Sequence, residues 1–151
     1  MDYLILDTCI ILHILRGNDI GKRALVFITS TENEPSLIIS SVTKGELESL
    51  KIQQNWGNKR SSYLNSFLKN ITYIDVGHAD DELHNSYAML DAFSKRKITD
   101  KSGNLLSGSA HKMGKNDLWI AATAHILNAP LMTTDGDFNH LNNLFIQIIN
   151  P

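Results

Sequence analysis

KNDLWIAATAHILNAPLMTTDGDF, residues 115–138, decides the fold. Ile120, Ala121, Ala124 and Leu127 recur at helical spacing, Asn116 and Asp117 suit a helix start, and Pro130 forbids continuation. Ala121, Ala122 and Ala124 leave little side chain on this helix, which allows close approach to a sheet. After a break at Ala129 and Pro130, the run Pro130 to Met132 reads as a short strand buried on both faces and ended by the turn pair Asp135-Gly136. Helix, break and buried strand together form half of a parallel crossover unit, with acids at both ends.

The rest of the chain repeats that alternation. Tyr3 to Leu6 (YLIL) reads as a first strand ending on Asp7, Ser36 to Ser40 as a second, Tyr73 to Val76 as a third and Phe145 to Ile149 as a last. Helices are expected over 10–15, over 20–29 with Leu25, Phe27 and Ile28 inward, and over 41–56, 59–70, 79–97 and 138–143. In the 79–97 helix, Asp80, Asp81 and Glu82 fall in the first turn and Lys95 to Lys97 in the last, the order the helix dipole favours. The Ser-, Gly- and Lys-rich segment 98–114 reads as a mobile loop with Leu105 and Leu106 its large apolar pair. Strands alternating with helices indicate an α/β sandwich around a mostly parallel sheet.

Length and charge bound the function. A chain of 151 residues suits one domain, 1–151. No apolar run is long enough to span a membrane and the start, MDYLILD, has no basic leader, so a cytoplasmic protein is expected. One cysteine, Cys9, excludes an internal disulfide and a Cys-based zinc site. A net charge of −2 excludes a globally basic nucleic-acid binder, so any such contact must be a local patch.

In an open α/β sheet ligands sit beyond the carboxyl ends of the strands. Asp7 ends strand one, Glu46 lies early in the helix after strand two, Asp117 opens the helix before strand four, and Asp135 follows that strand. Each has an ordinary reading: Asp117 as a helix cap, Glu46 as the fourth member of a capping box begun by Thr43, Asp135 as a turn residue, Asp137 as the cap of the next helix. Asp7 has least excuse, because an acid is disfavoured in β structure. Together they are a burden, since two carboxylates about 5 Å apart repel by roughly 3 kcal/mol at an effective dielectric near 20. A divalent cation relieves it, and oxygen donors without paired histidines point to Mg²⁺ or Mn²⁺ rather than Zn²⁺.

The blocks LDTC at Asp7, SSVTKGEL at Glu46, KNDLWIAATA at Asp117 and LMTTDGDF at Asp135, taken in this order over nearly the whole chain, resemble the PIN-domain family and most of all its VapC-type toxin ribonucleases. The resemblance implies a PIN-like three-layer sandwich with about five parallel strands. It also implies an acidic quartet, Asp7, Glu46, Asp117 and Asp135, binding one or two Mg²⁺ or Mn²⁺ ions, with Asp137 a fifth acid in the same turn. Thr8 and Thr133 are suited to hold a carboxylate or a coordinated water on the substrate side. The implied activity is metal-dependent hydrolysis of RNA to 5′-phosphate and 3′-hydroxyl ends, because water and not the ribose 2′-hydroxyl attacks phosphorus. A small antitoxin protein and a homodimer are the implied partners. The 98–114 loop is longer than in the most compact members.

Lys112 and Lys115, with His111, flank the entry to the Asp117 helix and suit phosphate contacts, as does Lys44 near Glu46. The other histidines show no ligand spacing, and Trp56, Trp119 and Cys9 read as packing. Two rivals stand beside the nuclease: a catalytically silent PIN domain that binds RNA or protein, and a phosphoryl-transfer domain of receiver or haloacid-dehalogenase type. The last fits poorly, because LDTC lacks the second Asp the phosphatase motif needs and the start lacks the receiver's acidic pair.

Overall fold

A computed structural model of the chain describes residues 1–75 and 81–151. Five strands, β1 (Tyr3–Leu6), β2 (Ser36–Ser40), β3 (Thr72–Ile74), β4 (Leu131–Met132) and β5 (Ile148–Ile149), form one sheet in the order β3-β2-β1-β4-β5. Every pairing is parallel, with Ile5 opposite Ile38 on one side and Leu131 on the other. The expected strands are therefore present, though β5 covers only the last residues of its run. Val76, Gly77, His78, Ala79 and Asp80, and with them the end of the expected third strand and the start of the fifth helix, lie outside the described residues.

Among the described residues, six α-helices, α1 (Thr8–Arg16), α2 (Asp19–Ser30), α3 (Ser41–Gln53), α4 (Asn58–Leu68), α5 (Asp81–Ser94) and α6 (Lys115–Ile126), and one 3-10 helix, Gly136–Leu141, cover the sheet. Alternation along each strand sends successive side chains to opposite layers. Leu4 and Leu6 of β1, Ile39 of β2 and Met132 of β4 pack with Ile10, Ala24, Leu47 and Leu64 of α1 to α4. Ile5, Ile38 and Leu131 point the other way, into Leu90 and Phe93 of α5, Ala121 and Ala124 of α6 and Phe138 of the 3-10 helix. The sheet is thus buried on both faces, and the alanines of α6 allow the close approach their size suggests.

Punctuation differs in detail from the sequence reading. Helix α6 ends in a Schellman motif: Asn128 sits in the left-handed region at φ 47°, and the Ala129 amide donates to the Ala124 carbonyl at 3.0 Å. Helix α5 ends the same way at Arg96, φ 59°, with the Lys97 amide on the Ala92 carbonyl at 2.9 Å. Lys95, Arg96 and Lys97 therefore follow the helix instead of forming its last turn. In α2 the inward residues are Ala24 and Ile28, with Phe27 half-buried; Leu25, expected inward, is 37% exposed. Gly21 starts that helix against α1 so closely that a Cβ would collide with the His13 backbone carbonyl.

Segment 98–114 lacks regular structure, as expected, but it is tied down. Leu106 and Met113 are buried in the core, the Arg96 Nε donates to the Leu106 carbonyl at 2.9 Å, and the His111 amide donates to the Ser94 carbonyl at 2.7 Å. No helix among the described residues is long and apolar enough to cross a membrane.

Candidate functional site

Strand order reverses between β1 and β4, so the crevice of this sheet opens at their carboxyl ends. Asp7 follows β1 directly. Its amide continues the β1–β4 ladder to the Met132 carbonyl at 3.1 Å, which fixes the residue against β4. Asp7 is 5% exposed and takes three donors: Oδ1 accepts from the Thr8 amide at 2.7 Å, and Oδ2 accepts from the Thr133 hydroxyl at 2.7 Å and the Cys9 thiol at 3.1 Å, which leaves Oδ1 a free lone pair. Asp7 is also the N-cap of α1, an ordinary role that its sequence context conceals.

Thr133 connects the two strands. Its hydroxyl donates to Asp7 and accepts the Asp135 amide at 2.9 Å, and it is 1% exposed. Asp135 then caps the 3-10 helix by accepting the Asp137 amide at 2.9 Å, so Asp137, expected as that cap, is an exposed rim residue instead. The turn after β4 thus carries two carboxylates whose placement starts from one buried hydroxyl.

Glu46 arrives from the other layer. The N-cap of α3 is Ser40, whose hydroxyl accepts the Val42 amide at 3.3 Å, which puts Glu46 in the second turn and rules out the capping box with Thr43. Glu46 instead accepts the Thr8 hydroxyl at 2.9 Å, while Thr8 lies 3.3 Å from the buried Thr43 hydroxyl. Thr8 and Thr133 both hold carboxylates, one of the two roles their chemistry suggested. Thr43, expected as the start of a capping box, is instead a buried hydroxyl behind Thr8 one turn before Glu46.

Asp117 completes the group from the third residue of α6. The N-cap there is Gly114 with no side-chain cap, so capping does not explain this acid. Asp117, Asp135 and Asp137 place carboxylate oxygens within 4.8 Å of one another. Burial, then the charges of Asp7, Asp135, Glu46 and Asp137 in that order, push the Asp117 pKa up to about 6. Four of the sequence-selected acids, Asp7, Asp135, Glu46 and Asp137, therefore act on the fifth, Asp117, at one edge of the sheet.

This donor set suits a hard divalent cation. It is made of carboxylate oxygens, and the repulsion raising Asp117 is what a bound cation would cancel. Cys9 contributes no thiolate, because burial and Asp7 push its pKa up. Among the described residues, Asp117, Asp135 and Asp137 are the acids whose oxygens lie close enough together to hold one ion, so the rim residue Asp137 joins that group while Asp7 and Glu46 stand behind it. Beside that rim, His111 Nε2 stands 3.7 Å from Asp137 Oδ1.

The basic residues separate into two sets. Lys112 and Lys115 are exposed on the approach to α6 and make no ion pair among the described residues, leaving their charge available beside the acids. Lys44, grouped with them in the sequence, covers the Tyr73 ring at 4.5 Å instead; two residues along a helix turn it away from Glu46. Trp119 packs on Tyr87 at 4.2 Å and Trp56 stacks under Arg60 at 3.9 Å, as packing residues do. His13, His125 and His140 are occupied by Asn18, Ser86 and Ser94, and His84 lies edge-on to Trp119; His78 lies outside the described residues.

A parallel sheet of five strands is the fold anticipated from the four sequence blocks. The chain belongs to the PIN domain family, whose profile matches residues 4–144. Among solved structures it is similar to VapBC2 from Rickettsia felis, determined bound to a DNA fragment from its promoter, with a TM-score of 0.69, 22% identity and coverage of 97% of this chain and 98% of that one. It is also similar to VapBC-5 of the toxin–antitoxin family from Mycobacterium tuberculosis, with a TM-score of 0.64, 22% identity and 100% of both chains covered. FitAcB from Neisseria gonorrhoeae matches with a TM-score of 0.64 and 22% identity over 97% of this chain and 96% of that one. No curated protein matches the chain in sequence.

Proposed function

We propose that this protein is a metal-dependent endoribonuclease that hydrolyses RNA to 5′-phosphate and 3′-hydroxyl ends and serves as the toxin of a toxin–antitoxin pair. One observation carries the reading: Asp117, Asp135 and Asp137 bring carboxylate oxygens within 4.8 Å of one another, at a place where burial and then the charges of Asp7, Asp135, Glu46 and Asp137 push the Asp117 pKa up to about 6. Such a concentration of negative charge costs the fold stability, and a bound cation relieves it. Asp7, Glu46, Asp117 and Asp135 hold Mg²⁺ or Mn²⁺ in this reading, and Asp137 closes the exposed side.

When bound, the ion supplies Lewis acidity, lowering the pKa of water and offsetting charge that builds on the phosphate. The protein's own residues do the rest. Thr133 and Thr8 fix one oxygen each of Asp7 and Glu46, so those carboxylates meet the ion without reorganising. Lys112 and Lys115 neutralise flanking phosphates and draw RNA toward an otherwise repulsive pocket. His111 and His140 pack 4.6 Å apart beside Asp137, so a histidine pair does stand near the acids, and the ends of the RNA products distinguish attack by water from attack by a ribose 2′-hydroxyl.

Structural likeness to VapBC and FitAcB supports the toxin role and a small antitoxin that covers the pocket; a homodimer is part of the same proposal. The deciding experiment is cleavage of a mixed structured RNA pool in Mg²⁺, Mn²⁺ and EDTA, beside Asp7→Asn. Metal-dependent cutting that is lost in the variant and leaves 5′-phosphates supports the proposal. A 2′,3′-cyclic end refutes the water mechanism. Neither cutting nor metal binding by calorimetry moves the chain to the catalytically silent, RNA- or protein-binding reading.

A further inference from the structure

The charge of this chain is unevenly distributed in a way the acidic pocket does not explain. Residues 95–115 hold Lys95, Arg96, Lys97, Lys101, Lys112 and Lys115 against one acid, Asp100, in a protein whose net charge is −2. Lys95 is spent on Asp91 at 2.8 Å and Arg96 on the Leu106 carbonyl at 2.9 Å. Lys97, Lys101, Lys112 and Lys115 are exposed and form no ion pair among the described residues. Because Leu106, Met113 and His111 anchor the segment, these charges are held on a defined surface instead of a free coil.

The segment joins the two ends of the molecule. Lys112 and Lys115 lie at the front, where α6 begins beside Asp117. Lys101 lies at the rear, in a cleft of about 320 Å³ beyond the end of α6 and the start of β4. The 12 residues of α6 separate these points by about 18 Å at roughly 1.5 Å per residue. Asn128, Asn143 and Gln147 also line the cleft, are exposed, and make no side-chain hydrogen bond among the described residues. A carboxamide offers a donor and an acceptor together, the pattern that reads a base edge, and Phe145 and Leu144 supply an apolar wall.

We propose that residues 95–115 form a track for the RNA phosphate backbone leading from the acidic edge to this rear cleft, where Asn128, Asn143 and Gln147 receive one unstacked base. The proposal rests on the nuclease reading for its substrate and adds a subsite remote from the cut. An RNA strand fits better than an acidic protein because the front of the segment, Lys112 and Lys115, adjoins the start of α6 where Asp117 stands and a phosphodiester would lie. It also makes specificity depend on a nucleotide several positions from the scissile bond.

Binding separates this proposal from the cleavage reading. The Asp7→Asn protein in EDTA is titrated with a labelled random-sequence single-stranded RNA, alone and with Lys97→Gln and Lys101→Gln added, over a range of salt. Loss of two phosphate contacts lowers the magnitude of the log affinity against log salt slope by about 1.4 and weakens binding several-fold, while binding of a dinucleotide, too short to reach the rear, is unchanged. Gln147→Ala and Asn143→Ala leave the salt slope alone and flatten the base preference selected from the random pool. An unchanged slope for the lysine variants, or equal losses for long RNA and dinucleotide, overturns the track and leaves the nuclease reading standing. Failure of any RNA to bind overturns the track, and the surface then fits an acidic protein segment. RNA binding with the expected losses but neither cleavage nor metal binding by the native protein supports the track and refutes the nuclease.

Discussion

Replacing Asp117 by Asn isolates the electrostatic load at the candidate site, because the amide keeps the shape and discards the charge. The carboxyl pKa moves from 3.8 to about 6 on folding. Each unit corresponds to about 1.4 kcal/mol between protonation states, so two units set a ceiling near 3 kcal/mol. Asp117 is only half-buried, and solvent screening brings the expected contribution down to about 1 kcal/mol. The sign is fixed by proton linkage: the folded state holds this proton more tightly than the unfolded chain, so stability falls as pH rises from about 4 to about 6 and stays lower above. Asp117→Asn should therefore melt higher than the native protein at pH 7.5 in EDTA, by about 2–4 °C for a chain of this size. The difference should shrink toward zero as pH falls to about 4. Thermal melts at several pH values decide it. A variant that melts lower than native in EDTA at pH 7.5, or a difference that does not depend on pH, refutes the account of crowded carboxylates.

Other outcomes follow from neighbouring features. Mg²⁺ or Mn²⁺ added to the native protein should raise its melting temperature with a dependence on ion concentration, and Asp7→Asn should lose most of that rise. Thr133→Val should cost about 1 kcal/mol in urea unfolding by removing the partner of the part-buried Asp135 amide, and should reduce RNA cleavage, with Thr133→Ser restoring both. Gly45 lies inside α3 with open space where a Cβ would go, so Gly45→Ala should stabilise by about 0.8–1 kcal/mol in the same assay. Gly21→Ala should do the reverse, by about 1–3 kcal/mol, because its Cβ meets the His13 carbonyl.

Much of this architecture was legible from pattern alone, and the exceptions have physical causes. The apolar runs at Leu4 to Leu6 and Leu131 to Met132 identified central strands because burial on both faces leaves no room for alternation. The acids gathered as expected because parallel topology sends strand ends to one edge. What escaped depended on contacts distant in sequence. Residue types do not show that Thr43 is buried behind Thr8, or that Lys44 leans on Tyr73. Helix ends were misread where Asn128 and Arg96 adopt a conformation usually left to glycine. Anchoring of 98–114 was hidden by its polar composition, with Met113 overlooked among lysines and glycines.

The bond from Thr133 to Asp7 joins positions 126 residues apart, and this separation bears on the order of events during folding. Closing so long a loop is slow and entropically opposed, so pairing of β4 with β1 belongs late in folding. During synthesis, strands β1 to β3 and helices α1 to α4 emerge with Asp7 and Glu46 before the residues that carry Asp117 and Asp135 exist. A partial chain therefore presents no complete carboxylate group. For a protein proposed to cut RNA, the nascent chain is harmless to the translation machinery that makes it until its C-terminal quarter has docked.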